Sequence, residues 1–188
     1  MKQLKLKIRG KAPLIMQSGR LANPLDPLSR KVKGITNQRK KTDDDLEEIL
    51  KLKYLGSLYW NEKDGPYIPG ENLDRALFDA AKELKLGKRF VQDSVIVESV
   101  LPLIYEGPRV PEKLYANLDF VDVRCVVIGK SRVPMCRPIF KAWGLEATLA
   151  FNEERIDERD VRQIVQLAGR QSLGTFRRRF GKFETEIA

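Results

Sequence analysis

The sequence predicts an α+β fold, and three observations carry that prediction. Gln3 to Ile8 alternates apolar and basic residues, which is the signature of a strand. Stretches beginning near Asn72 and Asp157 place apolar residues at helical spacing. Between and after them lie short β-rich runs punctuated by glycine and proline.

The first strand directs Leu4, Leu6 and Ile8 to one face and Lys5, Lys7 and Arg9 to the other, so its open face is strongly positive. Gly10 and Pro13 end it. Ser18 to Lys41 has two proline breaks, few large apolar residues and many cations, with a short helix predicted over Leu25 to Gly34. Thr42 is a predicted N-cap. Asp43, Asp44 and Asp45 suit the first turn behind it, and Leu46, Ile49, Leu50 and Leu52 supply the apolar spacing. Residues 18–54 therefore form an insertion projecting from the core.

Gly56 to Trp60 and Pro66 to Ile68 flank Asn61-Glu62-Lys63-Asp64-Gly65, a hairpin turn. Pro69-Gly70 breaks the strand, and Asn72 caps a helix to about Leu86 whose buried face uses Leu73, Ala76, Leu77, Ala80 and Leu84. Val95 to Tyr105 is the next predicted strand. Residues 106–140 then form a second insertion: a Pro/Gly-rich loop, a strand over Val121 to Ile128 and a return arm over Arg132 to Phe140. Trp143 to Phe151 is a strand, and Asp157 to Leu167 a helix facing inward with Val161, Ile164, Val165 and Ala168. A glycine-rich basic loop leads to a closing strand over Lys182 to Ile187. Without the insertions the order is βαββαβ, the split, ferredoxin-like arrangement, within one domain over residues 1–188.

The chain has 188 residues, 42% hydrophobic and 32% charged, which suits a protein that buries a core. No apolar run approaches the roughly 20 residues of a membrane helix. The charged N-terminus is unlike a signal peptide, and Cys125 and Cys136 are too far apart for a CxxC clamp, so a reducing, cytoplasmic setting is expected. There are no histidines, which excludes Ser-His and Cys-His nucleophile pairs and HExxH zinc sites. The net charge is +9 and it is concentrated. Residues 1–41 hold twelve lysines and arginines against Asp26 alone, and residues 170–182 hold five against none. Two basic ends point to a polyanionic partner, a solvated basic surface being the alternative.

Gly65-Pro66-Tyr67-Ile68-Pro69-Gly70-Glu71-Asn72-Leu73, running into a helix, resembles the IPGSSL(K/R)G signature of the RAMP superfamily, the guide-RNA-binding backbone subunits of CRISPR effectors. Glu71-Asn72 replaces the usual Ser-Ser, and Asp74-Arg75 stands where Lys-Gly is typical. The stretch from Gly169 to Phe183 is similar to that family's glycine-rich loop, with three arginines in it. The resemblance implies an RNA-recognition-motif-like fold, a loop lying across the sheet where RNA is held, and a thumb-like role for residues 18–54. It also implies that a thumb aspartate could cleave RNA with a metal ion.

The first candidate site is the loop: Gly174, Phe176, Arg177, Arg178, Arg179, Phe180 and Lys182. Glycines admit a phosphate to the backbone, guanidinium groups bind it bidentately, and either phenylalanine is a potential stacking platform. The second is the insertion, with Arg20, Arg30, Lys31, Lys33, Arg39, Lys40 and Lys41 as a phosphate stripe. Asn72 and Arg75 at the first helix, and Arg132 and Arg137 with Lys130 on the ribbon, are further candidates; a plain helix cap and an exposed, charge-protected edge are their alternatives. No catalytic residue is assigned beyond Asp26, for which an Asp-Pro turn is the simpler account. No cofactor is expected unless Asp26 is catalytic with Mg²⁺. Four classes stay open: an RNA-binding subunit that assembles along its strand as a homo-oligomer or within a ribonucleoprotein, a phage or mobile-element single-stranded DNA-binding protein, a metal-dependent ribonuclease, and a protein-interaction module.

Overall fold

The structure, a computed structural model, describes residues 1–174 and 179–187, the Ile128 side chain excepted. In chain order the elements are β1 (Lys2–Gly10), β2 (Leu14–Ile15), α1 (Pro27–Thr36), α2 (Asp43–Ser57), β3 (Trp60–Asn61), β4 (Gly65–Pro69), α3 (Gly70–Glu83), α4 (Gly87–Asp93), β5 (Ser94–Ile96) and β6 (Val100–Pro102). They continue with α5 (Pro111–Ala116), β7 (Val121–Ile128), β8 (Ser131–Phe140), β9 (Gly144–Phe151), α6 (Glu158–Gln171) and β10 (Phe183–Ile187). The fold is α+β, as the sequence predicts. The chain divides into two compact units. One comprises Met1–Leu14, Asn61–Glu106 and Lys141–Ala188, and the other Ile15–Trp60 and Gly107–Phe140.

The first unit is built on an antiparallel sheet in the order β10-β1-β9-β5. Strands β1 and β5 are therefore parallel with β9 between them, and β9 and β10 are parallel with β1 between them. Helix α3 lies in the first of these two interlocked β-α-β connections and α6 in the second. The alternation in β1 is the physical cause of its two faces. Leu4, Leu6 and Ile8 are buried opposite Leu149, Ala147 and Leu145 of β9. Leu73, Ala76, Leu77 and Ala80 of α3 and Val161, Ile164, Val165 and Ala168 of α6 are also buried, each at the helical spacing read from the sequence. Fully burying a leucine or valine contributes about 1.5–3 kcal/mol. Asp157 caps α6, its carboxylate accepting from the Arg159 amide at 2.7 Å.

Four local readings need correction. The stretch from Val95 to Tyr105 is two strands: β5 pairs with β9, and β6 pairs with β4. Between them the Ile96 amide donates to Asp74 Oδ1 at 2.9 Å and the Gly70 amide to the Ser99 carbonyl at 3.0 Å, so the chain changes partners where it crosses the start of α3. Helix α3 begins at Gly70 with Pro69 in the N-cap position, which puts Asn72 inside its first turn. Helices α4 and α5 fall in stretches with no strong periodicity. Gly56 to Ser57 is the end of α2 rather than a strand: a side chain on Gly56 would overlap Leu21, so glycine lets that helix turn sit close.

The second unit places α1 on α2 and α2 on β8. Its core includes Ile49, Leu52, Tyr54, Leu58, Leu114, Cys136 and Phe140. Rings of Tyr54 and Tyr115 meet edge-on at 5.2 Å, as do Phe120 and Phe140 at 5.8 Å. Thr42 caps α2 as the sequence predicts, in a full capping box. The Asp45 amide donates to Thr42 Oγ1 at 3.2 Å, and the Thr42 amide donates to Asp45 Oδ2 at 2.9 Å. The Thr42 amide, and then the Thr42 hydroxyl, which donates to Asp45 Oδ2 at 3.0 Å, hold the Asp45 carboxyl below the usual aspartate range.

Candidate nucleic-acid interface

The basic loop after α6 is fixed at its base. Leu173 donates its amide to the Gly181 carbonyl at 2.8 Å, and Gly181 donates its own to the Pro13 carbonyl at 2.8 Å. Lys11 and Ala12 in turn donate to the Lys182 carbonyl at 2.7 and 3.2 Å. Gly174 and Gly181 have φ of 84° and 70°, the left-handed region that glycine enters without penalty. A Cβ on Gly181 would overlap the Leu173 carbonyl oxygen, and one on Gly169 the Phe183 carbonyl oxygen. The glycines are thus needed for close approach of backbone to backbone, which ties the two ends of the loop together. Arg179 and Lys182 are exposed beside this stem, and Phe180 is half-buried. Phe176, Arg177 and Arg178, three of the predicted contacts, lie outside the described residues.

The second basic surface is on α1 and the turn after it. Leu28, Val32 and Ile35 are half-buried, and α1 has no fully buried residue. Its other face and the following segment present Arg30, Lys31, Lys33, Arg39, Lys40 and Lys41, all exposed. Among the described residues none of these six forms an ion pair; the Lys41 ammonium donates to the Gln38 carbonyl at 2.9 Å. A helix that buries so little contributes little to a core. Its N-cap at Asp26, and Thr42 capping α2 just after the turn, nevertheless fix where these cations sit.

Asp26 has a structural role here. One carboxylate oxygen accepts from the Leu28 amide at 2.8 Å, capping α1, and the other from Arg20 Nε at 3.1 Å. The Leu28 amide, then Arg20, hold the Asp26 carboxyl below its usual range. Arg20 is thereby occupied as an ion-pair partner. Among the described residues no three acidic or cysteine side chains gather as a cation site.

The remaining candidates divide. Asn72 is in the first turn of α3, whose Gly70 amide is already taken by Ser99; a Cβ on Gly70 would overlap the Glu98 carbonyl oxygen. The Ile-Pro-Gly sequence at this point is accounted for by backbone packing. Arg75 pairs with Asp79 at 3.1 Å and lies over the Phe78 ring. On the ribbon, Lys130 and Arg132 are exposed, but Arg137 is 4% exposed and donates to Gln17 Oε1 at 2.6 Å. Cys136, Arg137 and Pro138 are all buried, because both faces of the ribbon are covered at its base. Strand alternation in the sequence cannot reveal that, and Arg137 is out of reach of a phosphate.

The open face of the four-stranded sheet also differs from the expected positive strip. Lys7 stands between Glu146 and Glu186, and Arg9 beside Glu184, so charges of both signs alternate there. These rows, with Lys5 opposite Thr148, carry no aromatic side chain.

A cluster absent from the sequence reading lies where α3 ends and α4 begins. Lys85, Lys88 and Arg89 approach Arg155, 66 residues away from Arg89, around a pocket that Asp93 also lines. The sequence signal for half of it is the run Lys85-Leu86-Gly87-Lys88-Arg89, which spans the turn after α3 and the start of α4.

No family model matches the chain, and no curated protein matches it. Among solved structures, one similar chain comes from the cryo-EM structure of a Type III-B Cmr-beta bound to cognate target RNA. The likeness has a TM-score of 0.54 at 12% identity and covers 100% of this chain. The chain spans 60% of the length of that structure's chain. At that identity the likeness establishes the fold. No helix among the described residues is long and apolar enough to cross a membrane.

Proposed function

We propose that this protein is a single-stranded RNA-binding subunit of a ribonucleoprotein, a RAMP-like module that grips the strand mainly through its phosphates. The observation that carries the reading is the face of α1 and its following turn. Six exposed cations stand there without a direct ion pair among the described residues, beside a helix that buries no residue fully. Lysines and arginines so placed neutralise phosphates and release counterions, which gives tight, salt-sensitive binding that ignores sequence. Arg179 and Lys182 on the anchored loop supply a second point of charge. The sheet order β10-β1-β9-β5 is what a ferredoxin-like module has, and it supports the family resemblance of the Ile68-Pro69-Gly70 and glycine-loop segments. RNA is favoured over DNA by the likeness to a chain from an RNA-bound assembly. With no aromatic on the central rows of the open sheet face, base stacking there is not the mode of grip.

The test is to purify the protein from its own host and treat separate aliquots with RNase and DNase. An RNase-sensitive, larger species with bound RNA supports the proposal. A nucleic-acid-free protein that ignores RNA and single-stranded DNA at low salt overturns it and redirects the search to protein partners.

A further inference from the structure

A second site, separate from the basic surfaces above, lies in the first unit at the turn between α3 and α4. Lys85, Lys88, Arg89, Gln92, Asp93 and Arg155 line an open pocket of about 320 Å³, at the lower end of the range for small-molecule sites. The turn is held firmly: the Leu86 amide donates to the Ala81 carbonyl at 2.9 Å, and Lys85 takes a φ of 59° in the left-handed region. Gly87 is packed against Phe78 and Lys82. Lys85, Lys88 and Arg89 are exposed and form no ion pair among the described residues. Arg155 reaches the Asp93 carboxylate at 3.5 Å with a side chain that is 64% exposed.

Asp93 gives the pocket its chemistry. Its side chain is 6% exposed, its backbone carbonyl accepts from the Asn152 amide at 2.8 Å, and its Oδ2 is buried without a hydrogen-bond donor among the described residues. Buried acceptors ordinarily have a donor, and an ionised one has the strongest demand for it. A bare anion would be drawn by the four cations and repelled by this carboxylate. A ligand that satisfies both halves carries a phosphate and, a few ångströms away, a hydroxyl or amino donor.

We infer that this pocket binds a phosphorylated ribonucleoside, with the phosphate on Lys85, Lys88 and Arg89 and a ribose hydroxyl or base amino group donating to Asp93. Arg155, with its side chain 64% exposed, offers its guanidinium plane to the base. A free nucleotide and the phosphorylated end of an RNA strand present this same chemistry. The inference does not depend on strand binding at α1: either can fail alone.

Calorimetric titration of the full chain tests it, using adenosine and guanosine 5′-phosphates, a 5′-phosphorylated tetraribonucleotide, ribose 5-phosphate and pyrophosphate. The mononucleotides, the tetranucleotide or both bind, and at least one binds about tenfold tighter than pyrophosphate and ribose 5-phosphate. Which of the two binds tells a free nucleotide from a strand end. Lys88→Glu with Arg89→Glu, both exposed and tolerable to the fold, abolishes that binding, whereas Lys63→Glu with Lys113→Glu, an equal charge change at exposed positions elsewhere, leaves it. Asp93→Asn weakens nucleotide binding and spares or strengthens that of pyrophosphate; if that variant fails to fold, the exposed pair and the ligand series decide. The inference is overturned by no binding at low salt. It is equally overturned by pyrophosphate or ribose 5-phosphate binding as tightly as the nucleotides, or by nucleotide binding that survives the Lys88/Arg89 reversal.

Discussion

Gly181→Ala tests whether the basic loop is truly anchored. Gly181 has φ of 70°, and alanine in that left-handed region costs about 1–2 kcal/mol. The new methyl would also overlap the Leu173 carbonyl oxygen. Relieving that overlap moves Gly181 away from both of its backbone partners, Leu173 and Pro13, each at 2.8 Å. Each hydrogen bond broken costs roughly 0.5–1.5 kcal/mol. The sum is about 2–5 kcal/mol, a large part of the ~5–15 kcal/mol that holds a typical domain folded. Urea unfolding in a Trp60→Phe background reads the correct unit, because Trp143 packs edge-on against Phe183, two residues from the substitution. The midpoint falls by about 1–2 M at a typical urea slope. Gly34→Ala, followed by circular dichroism because it lies in the second unit, is the contrast: Gly34 is exposed inside α1 with nothing within 4 Å of the added Cβ, so it should gain up to ~1 kcal/mol. A Gly181→Ala loss no larger than about 0.5 kcal/mol, typical of an indifferent surface change, refutes the anchored stem.

Gly70→Ala introduces a Cβ against the Glu98 carbonyl and should cost about 1–3 kcal/mol in the same unfolding assay; a neutral result would mean that the backbone crossing at α3 is loose. Burial pushes the Cys136 thiol up to about 11, while Cys125 is exposed. At pH 8, therefore, a thiol reagent should modify one cysteine per native chain and two in denaturant, and rapid modification of both contradicts the ribbon's packing. The Asp26 carboxyl is lowered below the ordinary aspartate value of 3.8, first by the Leu28 amide and then by Arg20. A depressed folded-state value means that its contribution to α1 is complete above pH 3.8 and is lost as pH falls through the lower, folded value. The Leu28 amide resonance should titrate with a midpoint below 3.8, and Asp26→Asn should remove that titration; a midpoint at or above 3.8 contradicts the cap.

The parts of the fold that read directly from the sequence are those whose cause is local. Leu4-Lys5-Leu6-Lys7-Ile8 alternates because one face is covered by helices and the other is open. Thr42 and Asp45 form their capping box within one turn, and Leu73, Ala76, Leu77 and Ala80 share a helix face by spacing alone. What stayed hidden depends on distant partners. Val95 to Tyr105 looks like one strand until β4 and β9 each take half of it. Gly56 and Ser57 look like a strand until Leu21 fills the space left by the missing side chain. The same limit applies to the site. Exposed cations on α1 follow from a run with few apolar neighbours, but Arg137 is buried because Gln17 and the base of the ribbon close over it. Asp26, an obvious acid in a basic stretch, is held as a helix cap.

The central claim is most directly tested by the salt dependence of RNA binding. Fluorescence anisotropy with a labelled single-stranded RNA, over a series of salt concentrations, compares the wild type with Arg30→Glu/Lys31→Glu/Lys33→Glu. Those side chains are exposed, so the fold should be unaffected. The wild type is expected to bind RNA of unrelated sequences alike, with affinity falling steeply as salt rises. The variant should bind far more weakly, its slope shallower by about 2, at roughly 0.7 for each phosphate that is no longer neutralised. A variant that retains wild-type affinity and slope would contradict the account, because the cations on α1 would then not be where the strand is held.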